Sequence, residues 1–108
     1  MKLVRGIVRE DKVNEIMGAL NRVGATGFTV TGVRGRGANS PMGVWRGLRY
    51  PVLVPMCAIE VIVCDESADD IARIVVDVAH TGEKGDGHVF VMALDQSYAV
   101  RTRWRDVA

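Results

Sequence analysis

Cysteine and histidine are scarce in this chain, with two of each among 108 residues. Cys57 and Cys64 bound the stretch CAIEVIVC, and their odd separation sends them to opposite faces of one strand. That excludes a local disulfide or a shared metal site, so both are read as reduced and packed. His80 and His88 have no carboxylate or cysteine at zinc-ligand spacing, and no metal site built by this chain alone is expected. Charge of one sign is not in excess either: 14 Lys plus Arg face 13 Asp plus Glu, for a net charge of +1. Nothing in that balance demands nucleic acid or an anionic membrane. No apolar run approaches the ~20 residues that span a bilayer. The start MKLVRGIVRED has charges on both sides of a very short apolar stretch, unlike a signal peptide. A cytoplasmic protein without membrane insertion is expected.

What is present fits one compact domain over residues 1–108, since 48% of the chain is apolar. KLVRGIV, residues 2–8, reads as a strand followed by a turn-like REDK. From Asp11 the period changes: Val13, Ile16, Met17, Leu20 and Val23 follow helical spacing, with Gly24 where a helix end commonly needs a left-handed residue. GFTVTGV (27–33) and AIEVIVC (58–64) are rich in β-branched residues and read as the second and third strands. Between them, residues 35–55 hold glycines 35, 37, 43 and 47 and prolines 41, 51 and 55 with no sustained period. Structureless loops of that length are usually functional or disordered. Ala68, Ile71, Ile74, Val75 and Val78 then resume helical spacing, with Ser67 as N-cap and Asp69 and Asp70 near the positive end of the dipole. Gly82 ends that helix, and HVFVMAL enters a fourth strand. The order βαββαβ, with right-handed crossovers, gives a ferredoxin-like α+β fold with both helices on one face of an antiparallel sheet. The tail, about residues 98–108, is left outside. Alternate residues of LVRGIV and AIEVIV make the sheet's other face too apolar to stay wet, which predicts assembly.

Three local signals bear on chemistry. In TGEKGDGHV, Gly85 and Gly87 let the backbone turn tightly, so that consecutive N–H groups form a nest for phosphate oxygens; an ordinary helix-to-strand turn is the competing reading. GRG, residues 35–37, lacks the third glycine of a dinucleotide fingerprint and leads into no helix, which favours a plain turn. In RTRWR, an extended backbone would point Arg101, Arg103 and Arg105 the same way as a forked anion site, against the alternative of a solvated tail. Burial is the default for Trp104.

Over nearly its whole length, from KLVRGIVREDKVNEIMGALNRVGATGFTVTGVRGRG through TGEKGDGHVFV to VRTR, the chain resembles the PII signal-transduction proteins. Thr81, Gly85, Asp86, Gly87, Val89, Phe90, Val91 and Leu94 fit that family's C-terminal signature, and His88 stands where Lys or Arg is usual. The resemblance implies a homotrimer that performs no catalysis and binds an adenine nucleotide (ATP, ADP or AMP, with Mg²⁺ accompanying ATP) between subunits. The matching positions are Ile7, Thr29, Gly35, Gly37, Asn39, Ile62, Gly85, Asp86, Gly87, His88, Arg101 and Arg103. Backbone N–H groups of the GDG loop would fix the phosphates, the arginines would neutralise them, and Thr29 with neighbouring backbone would read the base. His88 weakens charge complementarity at neutral pH and favours ADP or AMP over ATP.

The segment from about 37 to 55 falls where the family carries its T-loop, the part that engages a membrane transporter or metabolic enzyme. Here it reads ANSPMGVWRGLRY. Asn39 replaces the glutamine that orients Mg²⁺ and 2-oxoglutarate, Ser40 an adjacent lysine, and Met56 the lysine that pairs with the dicarboxylate. Without that cation a doubly charged acid is poorly compensated, which argues against 2-oxoglutarate sensing. Trp45 and Arg46 are candidate partner contacts. Tyr50 matches a tyrosine uridylylated in some PII proteins, in a context changed by Leu48, Arg49 and Pro51. The expected function is regulation of nitrogen or carbon metabolism through a ligand-biased order-disorder switch of this loop. Two alternatives remain at this point: a sensor of inorganic carbon (bicarbonate), and a small ferredoxin-like phosphohydrolase using Arg101, Arg103 and Asp86, the latter lacking a nucleophile or poised base.

Overall fold

The computed structural model describes residues 1–38 and 40–106. Strand β1 (Lys2–Val8) leads through a 3₁₀ turn (Glu10–Lys12) into helix α1 (Val13–Arg22). Strand β2 (Phe28–Gly35), a hairpin of β3 (Met42–Trp45) and β4 (Leu48–Pro51), and β5 (Val54–Val63) follow. A second 3₁₀ turn (Asp65–Ser67), helix α2 (Ala68–Ala79) and β6 (Gly87–Ala93) complete the fold. The four long strands form one antiparallel sheet in the order β2-β5-β1-β6, the ferredoxin-like arrangement expected for βαββαβ.

Both helices cover one face. Val4 and Val8 of β1 and Ile59 of β5 pack against Ile16 and Leu20 of α1 and Val75 of α2, all six fully buried. Gly6 lies under α2, where even a Cβ would sit 3.1 Å from Val75 Cγ1. Helix α1 closes as expected at Gly24 (φ +84°): Gly24 N–H reaches Asn21 O and Ala25 N–H reaches Leu20 O, which satisfies two carbonyls at the helix end.

Four local expectations need correction. Residues 35–55 are not without regular structure. Strand β2 runs on to Gly35, β5 begins at Val54, and β3 pairs with β4 from Met42↔Pro51 to Trp45↔Leu48. Arg46 (φ +50°) and Gly47 (φ +78°) make the two-residue turn, whose paired positive φ values match the right-handed twist of a hairpin. This arm stretches the molecule to 55 × 28 × 20 Å and its radius of gyration to 16.4 Å, against about 13 Å for a compact chain of this length. Helix α2 ends at Ala79 rather than at Gly82: His80 is already extended (ψ 129°), and Gly82 (φ +88°) turns the loop beyond it. Ser67 holds the N-cap position without a capping bond from its side chain, because its hydroxyl lies 3.2 Å from Cys64 Sγ. Cys57 does pack against the core, but Cys64 is exposed; both are free thiols.

Candidate functional site

The stretch from Thr81 to His88 is organised around one carboxylate. Asp86 accepts hydrogen bonds from Thr81 N–H (2.8 Å), Gly82 N–H (3.0 Å), the Thr81 hydroxyl and Arg9 Nε (3.0 Å). Arg9 Nη2 also donates to Lys84 O at 2.6 Å. Donation from Thr81's hydroxyl and N–H, joined by Arg9 and Gly82 N–H, holds the Asp86 carboxyl well below its ordinary 3.8. His80 adds a second cationic neighbour beside Arg9 when protonated, with Nδ1 3.9 Å from Asp86 Oδ2. With its side chain committed inside the loop, Asp86 has no hand free to act as a catalytic base; its contribution to any ligand runs through the backbone it braces.

Gly85 (φ +89°) and Gly87 (φ +98°) carry the backbone reversals that Asp86 fixes. Gly87 lies so close to β1 that a Cβ on it would collide with the Ile7 carbonyl oxygen. The loop is therefore seated at the start of β6, where Gly87 pairs with Val8 and His88 with Ile7. The loop thus presents the exposed His88 next to a carboxylate whose charge is taken up by donors inside the loop and by Arg9.

The remaining candidates divide into separate places within one chain. Thr29 lies opposite Glu60, and Ile62, half exposed, opposite Leu3. Ile62 and Gly87 are thus five register positions apart along β1, roughly 17 Å at strand spacing. Gly35 ends β2 opposite Val54, at the root of the arm, and Gly37 follows it. Asn39 lies outside the described residues. Arg101 and Arg103 leave from the end of β6 remote from Gly87, where Leu94 N–H donates to Met1 O.

That tail is not extended, which corrects the reading of a forked arginine strip. Arg103 N–H bonds Ala99 O (2.8 Å), Ala99 N–H bonds Trp104 O (3.0 Å), and Asp106 N–H bonds Ser97 O (2.7 Å). Tyr98 and Arg105 form a bridge, and Arg103 takes φ +64°. The alternation of Arg101, Arg103 and Arg105 is lost in this turn. Trp104 is 78% exposed instead of buried. One residue that sequence reasoning did not single out matters here: Arg9, silent because its partner lies 77 positions away; Thr81, noted only as part of the signature, is a donor to Asp86.

At the arm's tip Val44, Trp45 and Leu48 are exposed and the Arg46 guanidinium sits 4.6 Å from the Trp45 ring centroid. Tyr50 lies across Gly43, where a Cβ would strike its ring. Among the described residues no cluster of His, Cys, Asp or Glu is suited to a metal, and no helix is long and apolar enough to cross a membrane.

The ferredoxin-like sheet carries a braced glycine loop at one edge and a projecting hairpin arm, and the family that matches it is one of small regulatory proteins. The chain belongs to the P-II family: the family model described as nitrogen regulatory protein P-II matches residues 1–104. It is similar to nitrogen regulatory protein GlnK2 of Haloferax mediterranei, 43% identical over 104 residues that cover 94% of this chain and 85% of the relative. Nitrogen regulatory protein P-II 2 of Methanothermobacter thermautotrophicus is 39% identical over 94% of this chain and 90% of its own. Nitrogen regulatory protein GlnK of Escherichia coli strain K12 is 36% identical across 100% of this chain and 98% of its own. P-II proteins are signal-transduction regulators and not enzymes, which removes the phosphohydrolase alternative.

Proposed function

We propose that the chain is a cytoplasmic homotrimeric sensor of adenine nucleotides that regulates a transporter or metabolic enzyme of nitrogen metabolism through its arm. The observation that carries this reading is the Thr81–His88 loop at the sheet edge, in which Asp86 braces the backbone through the Thr81 and Gly82 N–H groups and two positive-φ glycines turn it tightly enough for phosphate oxygens to approach. The division of the other candidates between two ends of the sheet supports a ligand held between chains. Ile7, Gly85, Asp86, Gly87 and His88 of one subunit would meet Thr29, Ile62 and the tail of another. Gly35 and Gly37 would link ligand to arm. Arg101 and Arg103 would neutralise the phosphates, and Mg²⁺ would accompany ATP. With Met56 in place of a lysine, 2-oxoglutarate adds little.

The arm is a formed hairpin, so its response to nucleotide is a change in how it is held at Gly35–Gly37 rather than the folding of a featureless loop. Trp45, Arg46 and Leu48 are the contact surface offered to the target. Tyr50, folded across Gly43, supports that surface.

Titration calorimetry tests the reading. Each charge-assisted contact contributes about 1.5–3 kcal/mol, so Arg101→Ala and Arg103→Ala should each weaken adenine-nucleotide affinity roughly ten- to hundredfold. Absence of any heat or stability shift with AMP, ADP or ATP at millimolar concentration would end the nucleotide reading.

A further inference from the structure

We propose that Arg5 and Glu60 pair between copies of this chain and decide which chains assemble through the open face of the sheet. The inference rests on the self-association reading above and adds its charge code. Register places Arg5 opposite Glu60 on β5 and opposite Phe90 on β6, with Thr29 beyond Glu60 on β2. All of them face away from the helices, because the alternate residues Val4, Val8 and Ile59 are the core. Among the paired positions of that face, Arg5 is the one guanidinium and Glu60 the one carboxylate. Their surroundings are apolar: Leu3, Ile7, Ile62 and Met92 lie in the rows on either side.

Arg5 Nε is buried without a hydrogen-bond partner among the described residues. Although Arg5 and Glu60 are cross-strand neighbours, no ion pair joins them. Covering this face would bury the guanidinium completely, and a buried cation without an acceptor is strongly destabilising. An unrelated partner would have to bring its own carboxylate to the right place. A second copy already carries it, in the middle of the same apolar field. In a closed ring each copy donates one arginine and accepts at one glutamate, so every charge is used once.

Arg5→Glu, Glu60→Arg and the double swap R5E/E60R test this by light scattering, with far-UV circular dichroism as the control for folding. Each single variant should raise the dissociation constant of the assembly by about a hundredfold or more, and the double swap should restore it. The decisive step mixes the swapped chain with wild type, lets subunits exchange, and counts chains by native mass spectrometry. Mixed trimers should be depleted, since each contains two interfaces with like charges opposed. Statistical mixing, or single variants that assemble as wild type does, would overturn the proposal while leaving the trimer intact. A wild type that is monomeric would instead remove the reading on which it rests. Should the swapped chain fail to fold, Arg5→Met and Glu60→Met with their double variant give a cycle on the dissociation constant: strong coupling supports the pair, additivity refutes it.

Discussion

Replacing Gly87 with alanine separates two costs that coincide in the loop. An L-residue forced to positive φ costs roughly 1–2 kcal/mol, and Gly85 (φ +89°) and Gly87 (φ +98°) share that burden. They differ in surroundings. A Cβ on Gly85 meets nothing closer than Arg9 Nη2 at 3.7 Å, the end of a side chain that can move. A Cβ on Gly87 collides with the Ile7 carbonyl, a backbone atom held in the β1–β6 ladder. Relief requires β6 to lift at its first pair, which loses on the order of 1 kcal/mol for a ladder hydrogen bond and strains its neighbours. Gly85→Ala should therefore cost about 1–2 kcal/mol and Gly87→Ala about 2–4 kcal/mol. The gap corresponds to roughly 4 °C or more in Tm for a chain of this size, read by thermal unfolding at one fixed protein concentration. Nucleotide affinity should fall further for Gly87→Ala as well. Equal effects of the two substitutions would refute the seating of the loop on β1.

The core, the loop and the arm each give a further test. Leu20→Ala empties a fully buried site and should cost about 2–5 kcal/mol, measured by urea unfolding. Gly43→Val displaces the Tyr50 ring and should open the hairpin, raising amide exchange from Met42 to Tyr50 while the four-stranded sheet keeps its protection. Asp86 has a lowered pKa, so its stabilisation is complete above about pH 3.8 and drains away as pH falls through the lower folded value. The Thr81 and Gly82 amide resonances should hold their positions down to pH 4 and move only below it, whereas in Asp86→Asn they should be displaced already at neutral pH. His88→Lys adds a permanent cation at the loop and should tighten ATP binding by about tenfold in calorimetric titration.

The two helices were legible from apolar residues at helical spacing, and the four long strands from runs of about seven β-branched and apolar residues bounded by turn signals. The hairpin was not, for reasons visible in its residues. Its strands are four residues each, too short for alternation to stand out, and Arg46 occupies a positive-φ position usually marked by Asn, Asp or Gly. The tight turns were legible in Gly85 and Gly87, whereas the bracing of Asp86 by Thr81, by Gly82 and by Arg9, 77 positions distant in sequence, was not. The tail misled for the opposite reason. Arginines at every second residue suggest a strip only if the backbone is extended, and here Arg103 turns it back through φ +64°. That Thr29 and the GDG loop lie far apart on one sheet follows from the strand order β2-β5-β1-β6, which the element order implies but no single motif shows.

The central claim is that nucleotide binds between copies of this chain. Native mass spectrometry of the wild-type protein with ADP tests it most directly, since it counts chains and ligands together. The account predicts three chains carrying up to three nucleotides, with Arg101→Ala retaining the trimer and losing the ligand. A monomer that binds ADP at full strength, or a trimer that takes up none at millimolar concentration, would contradict it.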